Sequence, residues 1–408
     1  MKRICFFTAG VLPVPPVKGG AVENLIKLIL DENERSYDAD FYVASIFNNE
    51  ALIESKNYKH CSFNFVHIPT FVNFCDKIVY GLARIFLKSK SLSFRMILAR
   101  LWYIAQSKKY FLQNDFDCIV AENHVSLFLA MKDRRMAEKY GEKFFYHAHN
   151  EAYSGTFGCK KQIENCPRIL TVSEFISKSW KAMFPSGRAE YKCVMNGIDT
   201  GLFMHDLSNG EKTLLQEKLG INKDDFVIIF AGRLVEGKGI LQLSRVFARL
   251  PVINKKLLIV GAAFFESNAK SPIQLELEKI LASCKEKVVF TGYVPYSEIW
   301  KYYKISAVAG FVPVWNEAGA LTNIEAQASA LPVVTTISGG IPEYSNPESR
   351  ILIPIDDNLE NAVYDKMMWL YENPEIREEI GKKNEKFAKR FSKENFYRGF
   401  MKSVGAEL

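Results

Sequence analysis

Short apolar runs, each closed by a glycine or polar turn and followed by a segment of helical period, recur along the whole of this 408-residue chain. Runs of about four to eight apolar residues without alternation suit strands buried on both faces, the condition of a parallel sheet covered by helices. In the first half they are Arg3–Thr8, then a helical pattern from about Val22, then Asp40–Ser45, Phe63–His67, Asp117–Ala121, Phe144–Tyr146 and Arg168–Val172. The second half restarts at Asp225 and repeats with Lys256–Val260, Val288–Phe290, Ala307–Val314 and Val333–Thr335, ending in charged helices from Leu359 to about Ser403. The rhythm predicts an α/β chain, and the length predicts two doubly wound domains rather than one core. Asn196-Gly-Ile-Asp199 and the polar stretch at Ser208-Asn209-Gly210 mark the connection between them.

Two loops in the second half carry chemistry. The strand Ala307–Val314 runs into Trp315-Asn-Glu-Ala-Gly-Ala-Leu-Thr-Asn-Ile-Glu325, with helical pattern from near Thr322 to the Leu331-Pro332 stop. With Thr322 as N-cap, the amides of Ala318, Gly319, Ala320 and Leu321 form an anion-binding concavity. Glu317 stands beside it, and Glu325, roughly 5 Å along the helix axis, can reach a second group of the same ligand. Amides for a phosphate and carboxylates for sugar hydroxyls suit a phosphate-linked sugar; a solvated helix terminus with favourable acids is the plain alternative. The second loop, Ala231-Gly-Arg-Leu-Val-Glu-Gly-Lys-Gly239, follows a buried strand and brings Arg233 and Lys238 to a glycine turn before a helix. Its spacing fits neither a Walker loop nor the dinucleotide fingerprint, so neither ATPase nor NAD-enzyme chemistry follows.

Together these pieces, with Gly292-Tyr-Val-Pro295 and Glu325-Ala-Gln-Ala-Ser-Ala-Leu-Pro332 through Pro342-Glu343, resemble glycosyltransferase family 4, retaining enzymes of the GT-B fold. Weaker marks lie at Gly19-Gly20-Ala-Val-Glu23, His149, Val172-Ser-Glu174 and Asn196-Gly-Ile-Asp199. The resemblance implies two Rossmann-like domains facing across a cleft, an acceptor-binding domain at 1–200, a nucleotide-sugar domain at 201–386, and a helix at 387–408 returning to the first. It implies Arg233 and Lys238 on the donor diphosphate, Glu325 on the ribose, Glu317 on a hydroxyl of the transferred sugar and the Tyr293-Val294 backbone on the base. Gly19 and Gly20 would admit phosphate and acceptor closely, and His149 would face the transferred sugar. Glu122 stands where many relatives have histidine.

The eight cysteines form no Cys-x-x-Cys pair and read as free thiols of a reducing cytosol. The start reads as a strand and loop rather than a signal peptide, and no uncharged stretch is long enough to span a bilayer. Asp38-Ala-Asp40 and Asp115-Phe-Asp117 precede strands, where a metal motif would follow one, and read as turn acids. From Phe71 to Gln113, Lys77, Arg84, Lys88, Lys90, Arg95, Arg100, Lys108 and Lys109 face only Asp76, and aromatic residues interleave with them. This segment suits an anionic membrane surface or an ordinary solvated helix face; nothing accompanies it that marks nucleic-acid binding. The activity that the resemblance implies is a metal-independent, retaining sugar transfer. The donor is a nucleotide-sugar, UDP-linked by preference, and no cofactor is needed. The acceptor is a surface-polysaccharide, lipopolysaccharide or lipid-linked glycan, on the cytoplasmic side of a membrane. An epimerase or phosphorylase on the same fold, or a non-catalytic glycan-binding scaffold, are the alternatives.

Overall fold

The computed structural model describes residues 1–86, 96–261 and 272–406. Lys88, Lys90, Phe94 and Arg95 of the basic segment lie outside the described residues, as do the side chains of Arg84 and Phe86. Contacts divide the chain into two compact units, Met1–Met195 with Phe396 onward, and Asn196–Asn395.

The first unit is built on a seven-stranded sheet in the order β3-β2-β1-β4-β5-β6-β7. Its strands are β1 (Lys2–Phe7), β2 (Ala39–Ile46), β3 (Cys61–Val66), β4 (Cys118–Glu122), β5 (Phe144–Ala148), β6 (Arg168–Thr171) and β7 (Glu190–Cys193). The second unit has six strands in the order β10-β9-β8-β11-β12-β13. They are β8 (Phe226–Ala231), β9 (Lys255–Val260), β10 (Val288–Gly292), β11 (Val308–Phe311), β12 (Val333–Thr336) and β13 (Ile351–Ile353). Every pairing is parallel. Helices cover both faces, which is why β4, β5 and β8 are buried at every residue and read as continuous apolar runs. Each fully buried Val, Ile or Phe contributes about 1.5–3 kcal/mol, so these central strands hold their sheets together.

Strand order reverses beside β1 and β4 in the first sheet and beside β8 and β11 in the second. Loops leaving the carboxyl ends at such a switch point diverge to opposite faces and leave a crevice. Gly19 and Gly20 follow β1, Glu122 ends β4, Arg233 and Lys238 follow β8, and Glu317 follows β11.

The observed division differs by a few residues from the expected boundaries at 200 and 386. The helix Pro374–Ala388 stays with the second unit because Gly381 packs on the Ala330 carbonyl and Asn384 Nδ2 donates to the Leu331 carbonyl at 2.8 Å. The tail from Phe396 packs in the first unit: the Phe400 ring lies 5.3 Å from Phe6, Lys2 Nζ donates to the Val404 carbonyl at 2.6 Å, and Arg168 Nη1 donates to the Ser403 carbonyl at 2.7 Å. The run Ala307–Val314 is strand only over Val308–Phe311, because Pro313 has no N–H to continue the ladder. Val314 N–H donates instead to the Gly237 carbonyl at 2.9 Å.

Candidate functional site

In the second unit, β8 delivers Gly232 at φ 143°, then Arg233, then a short turn Glu236–Lys238 closed by Gly239 at φ 72°. Neither closing glycine of this turn can be replaced freely. A Cβ on Gly239 would fall 1.8 Å from the Val312 carbonyl oxygen, and one on Gly237 would fall 2.1 Å from the Trp315 ring. The turn is thus laid directly on the loop that leaves β11, and Lys238 Nζ reaches Glu317 Oε2 at 2.8 Å. Glu317 is held from three more sides. Trp315 Nε1 donates to its Oε1 at 2.5 Å, its N–H donates to Ser338 Oγ at 3.3 Å, and Gly340 N–H donates to its carbonyl at 2.7 Å. Gly339, at φ 54°, allows that last contact, since a Cβ there would sit 2.3 Å from the Glu317 carbonyl oxygen.

Downstream, the helix spans Leu321–Ala328 and its N-cap is Ala320, which offers no capping side chain. The expected cap at Thr322 is corrected: Thr322 lies in the first turn, because the Ala320 carbonyl already accepts from Asn323 and Ile324 N–H at 3.1 Å each. The amides of Gly319, Ala320, Leu321 and Thr322 donate no hydrogen bond among the described residues. Unpaired amides at a helix start favour an anion. Gly319 is pressed against Asn196 and Tyr344, where a Cβ would lie 2.6 Å from Asn196 Nδ2. Arg233 is exposed on the same turn as Lys238 and has no ion-pair partner among the described residues. The structure therefore joins Lys238 to Glu317, while the two cations share no contact.

Glu325 stands apart from Glu317 in environment. It is 3% exposed, and its Oε2 accepts from the Tyr303 hydroxyl at 3.0 Å. Burial pushes its carboxyl up to about 7, against the pull of hydrogen bonds from Tyr303 and Tyr296. Both tyrosines come from the helix Tyr296–Lys304, which follows the Gly292–Pro295 turn; Val294 is half-buried there and Tyr293 exposed.

In the first unit, Gly19 and Gly20 have φ 73° and 107° and open the helix Ala21–Ser36. A Cβ on Gly20 would meet Glu23 Oε2 at 2.1 Å. Glu23 is 7% exposed, and burial, with the charge of Glu122 adding to it, raises its carboxyl to about 7. Glu122 ends β4 opposite His147 of β5 in register. His147 Nδ1 lies 3.3 Å from Glu122 Oε1, and His149 Nε2 lies 3.0 Å from Oε2. All three side chains are buried, and their ligand-capable atoms lie within 4.8 Å of one another, so they are the group among the described residues that could hold a metal. Asn123, at φ 52°, clamps the two strand ends: its Oδ1 accepts from His149 N–H at 3.1 Å and Asn150 Nδ2 at 2.9 Å.

His147 is the member of this cluster that sequence reasoning missed. The signal was present: histidines two apart on a strand share a face, and Glu122 ends the strand that pairs with it. The basic segment from Phe71 to Gln113 divides into buried and exposed residues. Tyr103 and Phe111 are core residues at 0% exposure, Trp102 Nε1 donates to the His67 carbonyl at 3.1 Å, and Lys108 pairs with Asp133 at 2.8 Å. What faces outward is a stripe on the helix Thr70–Phe86, where Phe71, Phe74, Ile78 and Leu82 are 48–63% exposed. The Asp-x-Asp acids are engaged within the first unit: Asp117 Oδ2 accepts from Arg3 N–H at 2.8 Å, Asp115 pairs with Lys139 at 2.8 Å, and Asp38 Oδ2 accepts from the Tyr397 hydroxyl at 3.0 Å and Asp40 Oδ1 from the Tyr37 hydroxyl at 3.2 Å. All eight cysteines are free. Among the described residues no helix is long and apolar enough to cross a membrane.

Residues 211–387 match the family model of glycosyl transferases group 1. The YtcC protein of Bacillus subtilis (strain 168), named as a glycosyltransferase, is 25% identical over 86% of this chain and 79% of its own. A lipopolysaccharide 1,2-N-acetylglucosaminetransferase of Salmonella typhimurium (strain LT2) is 24% identical over 84% of this chain and 82% of its own. Among solved structures, Anabaena HepE in complex with UDP-glucose superposes with a TM-score of 0.72 at 16% identity, covering 100% of both chains. WaaG, a glycosyltransferase involved in lipopolysaccharide biosynthesis, superposes at 0.67 with 13% identity, again covering 100% of both. The fold is GT-B, two Rossmann-like units, and the chain is a transferase enzyme whose residues 211–387 are similar to glycosyl transferases group 1.

Proposed function

We propose that this enzyme moves a sugar from a nucleotide-sugar, UDP-linked by preference, to a glycan or lipid-linked acceptor, with retention at the anomeric carbon as in glycosyltransferase family 4. The observation that carries this reading is the Lys238–Glu317 pair beside the unpaired amides of Gly319 to Thr322, at the switch point of the second sheet. Lys238, the exposed Arg233 and those amides form a cationic cradle for a diphosphate, and Glu317 is an acceptor fixed beside it for a hydroxyl of the sugar. Glu325 takes the ribose and the backbone at Tyr293 and Val294 the base. The UDP-glucose complex of HepE supports the preference for uridine.

In the reaction the bond from the sugar's anomeric carbon to the donor phosphate breaks, and a bond to the acceptor oxygen forms on the same face. The acceptor proton passes to the departing phosphate oxygen. Negative charge builds on the diphosphate as it leaves, and fixed cations aimed at that position stabilise the transition state more than the ground state. Such a cradle does the work otherwise given to a metal ion, so transfer is metal-independent. In the first unit, Gly19 and Gly20 admit substrate closely and His149 contacts a sugar hydroxyl. The acceptor's membrane is met by the exposed stripe Phe71, Phe74, Ile78 and Leu82, which with the basic excess of 71–113 suits anionic lipid.

The test is release of the nucleoside diphosphate, UDP or GDP, from a panel of UDP- and GDP-sugars in excess EDTA, with and without lipid-linked glycan acceptors. Turnover of a UDP-sugar under chelation is expected. Turnover of GDP-sugars alone would overturn the base assignment, and rescue only by added Mg2+ or Mn2+ would overturn metal independence. An absence of turnover with every donor, with or without metal, would favour the scaffold.

A further inference from the structure

We propose that Glu122 is the positioning residue of the first unit's site: its carboxylate takes an N–H from each of His147 and His149, holding His149 as the Nε2–H tautomer and leaving the Nδ1 lone pair free to accept from a substrate hydroxyl. The last clause rests on the transferase reading, whereas the tautomer does not. Both contacts fall on one carboxylate, at 3.3 Å and 3.0 Å, and Glu122 is 1% exposed. A buried carboxylate with two imidazole nitrogens this close is satisfied only if both donate. His149 Nδ1 makes no hydrogen bond among the described residues and, unlike His147 Nε2, is not enclosed as a buried atom without a partner. It is therefore the ring atom that a ligand can reach.

The same three side chains invite a metal, and their second contacts argue against one. A metal-bound histidine carries its remaining proton on the other ring nitrogen and donates it to a carboxylate, carbonyl or water. His147 Nε2 is buried with no partner among the described residues, so metal on Nδ1 would strand a buried N–H. In the hydrogen-bonded arrangement a neutral His147 has its proton on Nδ1, spent on Glu122, and Nε2 is a lone pair. The electrostatics agree. Burial, with the neighbouring His147 adding to it, lowers His149 to about 4 and keeps its ring neutral at pH 7, and hydrogen bonds from the two histidines help hold Glu122 down against its own burial. Glu23, the other acid at this end of the sheet, is raised to about 7 and avoids adding a second full charge. Asn123 fixes the backbone of His149 and the His147 ring packs 4.1 Å from its own, while the Glu122 contact is the hydrogen bond that sets its tautomer.

Histidine-labelled protein read by long-range 1H–15N correlation tests this, with His149→Gln assigning one of the six histidines. The native enzyme is expected to show His149 neutral with its proton on Nε2 at pH 7 and at pH 5.5. Glu122→Gln is expected to give a mixture of tautomers and about a 10- to 100-fold loss of transfer, mostly in kcat, the range typical of residues that orient a working histidine. The Nδ1–H tautomer or an imidazolium in the native protein at pH 7 would overturn the proposal even if Glu122→Gln does not fold. So would equimolar Zn2+ shifting the His147 and His149 signals in slow exchange, which would mark a metal site, or wild-type transfer by a folded Glu122→Gln protein. The tautomer is read without substrate. Should no donor be turned over while His149 behaves as expected, the transferase reading falls and the role of Glu122 stands.

Discussion

Lys238 and Glu317 neutralise each other at 2.8 Å, so each sets what the other can do for a ligand. Removing Glu317 frees the ammonium for phosphate, whereas removing Lys238 takes away a charge-assisted contact of roughly 1.5–3 kcal/mol. Glu317→Ala is therefore expected to keep or tighten UDP affinity while lowering transfer, and Lys238→Ala to lower turnover by at least about tenfold with the fold intact. Calorimetry with UDP decides it, and equal losses of affinity in both variants would contradict the pairing. Glu325 makes a different claim. The folded protein keeps its proton up to about pH 7, while the ordinary value is 4.5, so folding takes up a proton between them. Stability from this group is full below 4.5 and declines as pH rises to 7. Glu325→Gln, which has no charge to bury, is expected to melt higher than wild type at pH 8 and no higher at pH 4.5. Thermal melts at the two pH values check this; a variant that melts lower at pH 8 would show that Tyr303 and Tyr296 need the carboxylate itself.

Among the elements, the helix Thr70–Phe86 carries the sharpest consequence. Positions 71, 74, 78 and 82 fall within one face at about 100° per residue, and that face is apolar and exposed while Val72, Asp76 and Ala83 are buried. An ordinary solvated helix presents charge outward. This one presents two phenylalanines and two aliphatic residues, flanked by Lys77. The protein is expected to sediment with vesicles containing anionic lipid and to retain part of that binding at high salt, because apolar burial is not screened. Phe71→Ser with Phe74→Ser is expected to abolish the salt-resistant part; undiminished binding by that variant would rule out the stripe as the docking face. Element by element, the apolar runs marked β1 to β6 and β8 to β12. Two strands escaped them: β7, with its half-exposed Glu-Tyr-Lys-Cys, and the three-residue β13. Both lie at sheet edges, where one neighbour and partial exposure relax the demand for continuous apolarity.

Across the whole molecule, two parallel sheets each place their chemistry at the carboxyl ends beside an order reversal. Burial of a strand on both faces requires an uninterrupted apolar run, and a turn at positive φ requires glycine, so both are written locally. The sequence by itself therefore determined the class of fold, its two-part organisation and the loops carrying Arg233, Lys238 and Glu317. Tertiary structure decided which of those side chains meet. The Lys238–Glu317 pair joins residues 79 apart and the Glu122–His149 contact joins residues 27 apart, through strand register rather than spacing along the chain. It also decided that Glu325 is enclosed by tyrosines, and that the basic aromatic segment splits into core residues and an outward stripe. Exposure and pairing depend on what packs from other elements, and no local pattern records that.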